Sequence, residues 1–328
     1  MTIKQDASPP ASRNLAPDAA SDVEVSVVIA GYHGAETIAD CLRSVDRATE
    51  GRQRQIIVVE SSGDDARRII QDEFPDVVLI PSSKRLSAGE ARNLGFTVAR
   101  GRLVFVTDQD CLVPMDWVSR LERHFTDPSV GAAGGSVGVR DISNLSGFAV
   151  YCLEFLRHFP RSGSARRNHN FLVGCNSSYR SETVHALSFP DQTLGEDVLF
   201  SESIRRHGFD VIYDPSVEVQ HQNRTGWPEF FHYNRKMGRS AANYHQVLRR
   251  WWIVPFLHLP ILTFLSPVII LPRIAFDLAR SRWSYVVRFL MLWPMCLLGN
   301  LVWARAFRRK ILDDRLRTAT QGGPDHVP

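Results

Sequence analysis

Asp108 and Asp110 stand on either side of Gln109, directly after the apolar run Leu103–Thr107 (LVFVT). Carboxylates at the carboxyl end of a parallel strand point into the crevice where α/β sheets bind ligands. Two such acids one residue apart can share a hard divalent cation, Mg2+ or Mn2+, whose open positions take diphosphate oxygens. Paired aspartates are common in loops, so the preceding strand is what raises this pair above chance. Gly195-Glu196-Asp197 opens a predicted helix. Acids there complement the helix dipole, which is the purely structural reading. The chemical one is a general base, with one carboxylate taking a proton while its neighbour positions it. Arg92, within Ala88–Gly95 (AGEARNLG), sits on a helix whose small residues allow close packing on a sheet; an arginine there can also meet phosphate. Glu60, ending the run QIIVVE, is placed to accept hydrogen bonds from a base or ribose. Ala30-Gly31-Tyr32-His33-Gly34 lacks the GxGxxG spacing after the first strand, which disfavours a nicotinamide enzyme, and no GxxxxGK[ST] is present.

The elements that must hold these residues follow from periodicity. Val25–Ala30 (VSVVIA), Gln55–Glu60, Val77–Ile80 and Leu103–Thr107 read as strands, the first two and the last buried on both faces. Helices are predicted near Ala35–Thr49, Asp64–Phe74 and Ser87–Ala99; Ser87 with Glu90 three residues on forms a capping box. The alternation implies a parallel sheet with right-handed crossovers. Further on, a helix is expected at Met115–Phe125. Gly131–Val139 is expected as a strand of a second, mixed sheet. Helices are expected near Ser181–Ala186 and over Glu196–His207, then two extended pieces within Gly208–Gln220. Residues 161–170 read as basic and flexible.

The distribution of apolar residues divides the chain of 328 residues. Residues 1–22 carry no apolar run, which predicts a disordered tail and no export signal. Trp251–Pro272 has no charged residue over 22 positions, and Trp283–Ala304 has only Arg288 over another 22. Crossing a bilayer takes about 20 apolar residues, so a membrane-associated hairpin is expected over 251–306. Trp251, Trp252, Trp283 and Trp303 lie at the segment ends, as interfacial aromatics do. Pro255, Pro260, Pro267 and Pro272 weaken a straight first span, leaving an in-plane hairpin open. Arg249, Arg250 and the six basic residues of 305–317 put both flanks, and the domain before residue 250, on the cytosolic side. The tail 307–328 is basic, then polar. A mean hydropathy of −0.15 conceals this unevenness. The net charge of +4 is too mild for a nucleic-acid binder. Five cysteines without a CxxC pair fit neither a disulfide scaffold nor a structural zinc site.

Together the motifs resemble the family 2 glycosyltransferases of the GT-A fold, from Val25 to about Arg239. Val25–Tyr32 resembles the family's opening strand, with Ala30 in place of its proline and His33 in place of its asparagine. Glu60 stands where an acid contacts the nucleotide base. Ala91-Arg92-Asn93-Leu94-Gly95 is similar to the helix beside the nucleotide diphosphate, and Asp108-Gln109-Asp110 to the metal-binding DxD. Gly174–Arg180 resembles the acceptor-side segment, and Glu196-Asp197 falls where the family places its base. His221 occupies the place of a third metal ligand in several members.

The resemblance implies a Rossmann-like, mostly parallel sheet with helices on both faces, followed here by the apolar hairpin. It implies Mg2+ or Mn2+ on Asp108, Asp110 and His221, and a nucleotide-diphosphate sugar along Ala30, Tyr32, Glu60, Arg92, Asp108 and Gln109. Asp197, beside Glu196, would be the base of an inverting single displacement. No Gln-x-x-Arg-Trp pattern of processive synthases follows, which favours adding one sugar. The expected partners are a lipid-linked or glycan acceptor and the membrane, with no nucleic acid. A nucleotidyltransferase of related fold is the alternative enzyme, although residues 31–36 (GYHGAE) lack its basic loop. A non-catalytic membrane scaffold is the alternative class, set against the retained acids.

Overall fold

The computed structural model describes residues 23–190, 195–223 and 225–321, so the expected N-terminal tail and the last residues of the C-terminal one lie outside it. The first half alternates as its periodicity requires. β1 (Val25–Gly31) leads to α1 (Ile38–Ala48), β2 (Arg54–Glu60) to α2 (Ala66–Glu73), and β3 (Val78–Pro81) to α3 (Ala88–Phe96); β4 (Leu103–Asp108) follows. All these strands are parallel. β1 lies between β2 and β4, and its register sets Gly31 opposite Glu60 and Ala30 opposite Asp108. Two acids from different strands therefore flank one strand end, the position at which α/β sheets take ligands. α3 opens on the expected capping box: Ser87 Oγ accepts from Glu90 N, and Glu90 accepts from Ser87 N.

The second half builds onto the same sheet. In order come β5 (Cys111–Leu112), α4 (Trp117–Glu122), β6 (Val130–Val139), α5 (Leu145–Glu154) and β7 (Arg166–Arg167). β8 (Ser177–Arg180), α6 (Ser181–Ala186), α7 (Glu196–Arg206) and β9 (Asp210–His221) follow. The strands join in the order β3-β2-β1-β4-β8-β6-β9-β5, with β7 on β9. Gly131–Val139 therefore belongs to the one mixed sheet rather than to a second, because β8 pairs antiparallel with both β4 and β6 and bridges the halves. The two pieces expected in Gly208–Gln220 are a single strand whose register against β6 jumps between Asp214 and Glu218, so Pro215 bulges without ending it. The stretch 140–170 is not a plain loop: it contains α5, capped by Asn144, and the basic pair of β7.

The C-terminal quarter differs most from expectation. α8 (Trp227–Leu248) precedes α9 (Val254–His258), a 3-10 segment at Pro260–Leu265, α10 (Ser266–Ala279) and α11 (Trp283–Gln321). The first apolar segment is not one helix from Trp251. Pro255, Pro260 and Pro267 each fall at the first turn of a new piece, where a missing N–H costs nothing. The two stretches apolar and long enough to cross a membrane are Pro260–Ala279 and Trp283–Thr318. α11 runs without a break through residue 306, where the hairpin was expected to end. The two helices form an apolar hairpin that packs back onto the domain. Phe148 and Tyr151 meet Tyr285 at ring-centroid distances of 5.5 and 5.9 Å. Gly238 of α8 lies so close to α11 that a Cβ would stand 2.2 Å from the Trp303 carbonyl oxygen. The hairpin turn is held as well: Arg282 donates to Glu218 of β9 at 2.6 Å. Such half-exposed ion pairs contribute about 0–1 kcal/mol, so apolar packing holds the hairpin and the pair fixes its orientation. The outer face stays bare, with Val268 and Met291 more than 70 % exposed.

Candidate active site

Arg92 organises the site. α3 projects it beneath the ends of β4 and α7, where it is 3 % exposed. Its Nη2 donates to Asp108 Oδ1 at 2.9 Å and its Nη1 to Glu196 Oε1 at 3.0 Å. The guanidinium lies flat over Gly174, where a Cβ would come within 2.4 Å of it, so no larger residue fits there without displacing it. Burial alone works against the Arg92 charge, but Asp108 and Glu196 outweigh it and hold the pKa above its ordinary value. The arginine expected beside the donor diphosphate is thus already engaged, tying the first acid of the DxD to the first acid of the Glu-Asp pair.

Asp197 follows Glu196 at the start of α7 and is partly buried. Its Oδ1 accepts from Val198 N at 2.8 Å. Burial and the neighbouring Glu196 charge push its pKa up to about 7, against a smaller lowering by Arg92. A carboxyl poised near neutrality can both accept and release a proton at working pH.

Asp110, Cys111 and His221 form a second cluster, each offering a ligand atom within 4.8 Å of the others. β5 pairs with β9 so that Cys111 is opposite His221. His221 Nε2 lies 3.5 Å from Asp110 Oδ1, while Nδ1 lies 2.9 Å from Asn223 Oδ1. A carboxamide oxygen accepts, so this contact puts the proton on Nδ1 and leaves the Nε2 lone pair facing Asp110, the arrangement of a metal-ligating imidazole. Burial and Cys175 keep the Cys111 thiol pKa well above its ordinary value; its Sγ lies 3.8 Å from Asp110 Oδ1, as a weak donor. Asp108 is not in this cluster, because Arg92 holds it. A carboxylate with one imidazole suits a first-row divalent ion such as Mn2+ better than Mg2+, which prefers oxygen alone.

The remaining expected residues are placed as follows. Gln109 is 9 % exposed and its side chain is taken up by the Tyr32 backbone, accepting from N at 2.8 Å and donating to O at 2.6 Å. It braces the β1 and β4 ends against each other. Arg85 stacks 4.4 Å over the Tyr32 ring, an exposed cation at the crevice that sequence reading did not single out. Glu60 is buried and accepts from Ser62 N at 2.6 Å, from Gly63 N at 3.1 Å, and from Arg67. Ala30 ends β1 opposite Asp108.

A cavity of about 620 Å³ opens on Arg92, Asp108, Glu196 and Asp197 and continues between α5, α8, α10 and α11. Sequence reading missed its wall because it assigned no helix to 223–250. The signal was there: Pro228 follows Gly226-Trp227, and Phe230, Tyr233, Met237, Ala241 and Tyr244 recur at helical spacing.

A family model described as Glycosyltransferase like family 2 matches residues 22–243. The chain is 33 % identical over 145 residues to the succinoglycan biosynthesis protein ExoO of Rhizobium meliloti, covering 44 % of this chain and 39 % of that protein. It is 24 % identical over 198 residues to the poly-beta-1,6-N-acetyl-D-glucosamine synthase of Staphylococcus aureus, covering 58 % of this chain and 48 % of that one. The chain thus spans less than half the length of either relative. In fold it is similar to the mannosyltransferase PcManGT of Pyrobaculum calidifontis, solved with GDP-Man and Mn2+. The TM-score is 0.57 at 19 % identity, covering 94 % of this chain and 90 % of that one.

Proposed function

From the premise that this chain belongs to the glycosyltransferase-like family 2, we propose that it moves one sugar from a nucleotide-diphosphate sugar to a hydroxyl of a lipid or lipid-linked glycan, inverting the anomeric carbon. The observation that carries this is Asp197: a carboxyl held near neutral proton affinity, on the cavity that also holds Arg92 and Asp108. Asp197 takes the acceptor hydroxyl's proton as that oxygen bonds to the anomeric carbon. The anomeric carbon–phosphate oxygen bond breaks, and its electron pair leaves with the nucleoside diphosphate. Arg92 keeps Glu196 fixed beside Asp197, so the charge that raises the proton affinity of Asp197 does not drift. Asp110 and His221 would hold the divalent cation, to which Asp108, its Oδ1 on Arg92, could add only its other oxygen; the cation would supply Lewis-acid stabilisation of the leaving diphosphate. The base of the nucleotide is expected along Tyr32 and Glu60.

The chain works at the cytosolic face of the cytoplasmic membrane in this reading. The bare apolar face of the hairpin supports attachment. The Arg282–Glu218 pair supports a hairpin lying along the membrane, because a double crossing would carry residues 280–282 to the far side, away from β9.

The test is a panel of nucleotide-diphosphate sugars with Mn2+, read by thermal shift and by release of nucleoside diphosphate. At least one donor should stabilise the protein and be turned over, and chelation should abolish both; a protein indifferent to every donor removes the proposal. Within that assay, Asn223→Ala should weaken Mn2+ binding by about 10–100-fold, since an outer partner that orients a ligating imidazole contributes that much. Calorimetric titration of Mn2+ in the presence of nucleoside diphosphate measures it, and unchanged affinity would remove His221 from the ligand set.

A further inference from the structure

The cavity that reaches Asp197 has walls of two kinds. Its far end is apolar, built by Phe256, Ile270, Trp303 and Phe307. Another part of its wall is polar: Arg157 and Arg250 are cationic, Glu154 is a carboxyl, and His245 is neutral, its pKa pushed down to about 4 by burial. A site for nucleotide and sugar alone has no use for the apolar end, which runs away from the acids and beneath the helices whose outer faces are bare.

Two observations mark this polar part as a place for an anion. Arg157 is solvent-accessible and has no ion pair or side-chain hydrogen bond among the described residues. Its backbone stands at φ 79°, in the left-handed region that an unbranched but long side chain rarely adopts. The residue is thus held out of its ordinary backbone conformation where it lines the cavity. Burial and the nearby Arg273 lower its pKa, while the Asp277 carboxyl acts the other way, so Arg157 shares its surroundings with two further cations and one acid. His245 is independent of this. It is 9 % exposed, and its Nδ1 has no hydrogen-bond partner. Its ring is wedged against Tyr244 and Trp252 at 4.4 and 5.3 Å. Buried ring nitrogens are normally paired, so an orphan on a cavity wall points to a ligand atom. Arg250 is partly spent on Asn170 Oδ1 at 3.0 Å, which leaves Arg157 and His245 as the free groups.

We propose that this cavity is the acceptor site and that the acceptor is a lipid carrying a phosphate. The apolar chain lies between α8, α10 and α11, the phosphate meets Arg157 and His245, and the reacting hydroxyl reaches Asp197. Arginine matches phosphate oxygens through paired N–H donors, and the apolar end removes the chain from water. The proposal rests on the reading of Asp197 as the base, and it adds the chemical class of what Asp197 deprotonates. The volume of about 620 Å³ fits a headgroup and part of a chain, within the usual range of small-molecule sites.

The test uses the full chain in detergent micelles and three probes: hexadecyl phosphate, hexadecanol and butyl phosphate, titrated by calorimetry. Hexadecyl phosphate should bind at least about tenfold more tightly than either of the others, because only it engages both walls. Arg157→Gln should weaken hexadecyl phosphate by about tenfold or more, the size of a lost charge-assisted bond, and leave hexadecanol unchanged. Arg157→Lys should recover part of that loss. Ile270→Trp, which fills the apolar end, should weaken both long-chain probes and spare butyl phosphate. The proposal is overturned if phosphate and alcohol of equal chain length bind alike, or if butyl phosphate matches hexadecyl phosphate. It is equally overturned if Arg157→Gln, with an unchanged melting temperature, binds as the parent does. If Arg157→Gln does not fold, the parent's preference for hexadecyl phosphate over hexadecanol decides the phosphate and Ile270→Trp decides the apolar end. Wild-type thermal shift and nucleoside diphosphate release across the donor panel read the transferase separately: indifference to every donor sinks that reading and leaves the lipid result standing.

Discussion

Asp197→Asn should lower sugar transfer by about 10²–10⁴-fold, the usual contribution of a positioned general base, while nucleotide-sugar binding persists. The carboxamide has the carboxylate's shape and can still accept from Val198 N, so the start of α7 stays in place. What is lost is proton affinity. In the parent, burial and Glu196 push the Asp197 pKa up to about 7, and the base must be deprotonated to act. The parent rate should therefore rise with pH through neutrality, and the residual rate of the variant should lack that rise. Initial rates across the neutral range, beside calorimetric donor binding, separate the two effects; turnover close to the parent's would remove Asp197 from the mechanism. The same shift has a stability sign. The folded chain keeps a proton that the unfolded chain has released, so stability falls as pH climbs from the ordinary aspartate value of 3.8 towards about 7. Asp197→Asn should consequently melt higher than the parent at neutral pH while being inactive, a trade between stability and activity at one residue.

Arg92→Met should be the most destabilising single change in the site, by about 3–5 kcal/mol, the cost of removing one partner from a buried charge network. The side chain is 3 % exposed and bridges Asp108 and Glu196. Without it Asp108 and Glu196 lose the cation between them, and the buried Glu196, with Asp197 beside it, is left without a counter-charge. Arg92→Lys should recover only part of the loss, because one ammonium cannot hold two acids in the fork geometry that a guanidinium offers. Activity should fall in both variants. Any residual activity in Arg92→Met should need a higher pH, since Arg92 holds the Asp197 pKa down against burial and Glu196. Denaturant unfolding and a pH–rate profile measure the two effects, and a methionine variant as stable as the parent would refute the network.

How much of this was legible in the sequence follows the range of the forces involved. Strands β1, β2 and β4 announce themselves, because both faces are buried along most of their length and their central residues are apolar without alternation. The capping box at Ser87 and Glu90 is likewise a contact three residues long. Asp108, Asp110, Glu196 and Asp197 stand out in the sequence because strand ends and helix starts are where acids face ligands, and the structure brings Asp108, Glu196 and Asp197 to one cavity. What those acids touch was not legible. That Arg92 grips Glu196 rather than a phosphate depends on a contact between residues 104 apart in the chain. That Gln109 is consumed by Tyr32 depends on a contact 77 apart. Gly131–Val139 was assigned to another sheet for the same reason: its pairing passes through β8, some 45 residues later. In the hairpin, hydropathy located the apolar residues, but the prolines decided where helices begin, and packing on α8 decided where they lie.

The reach of Arg92 also bears on how the chain matures. Its partners, 16 and 104 residues away, come from β4 and α7, and within the sheet the strands of the two halves are joined through β8. Contacts of such long sequence separation form late, after the loop entropy between them has been overcome. A chain emerging from the ribosome therefore carries Asp108 long before Glu196 and Asp197 exist to complete the cavity. If Asp197 is the base proposed above, the first half has no means of activating an acceptor by itself, and assembly of the network around Arg92 is what would bring the parts of the reaction together.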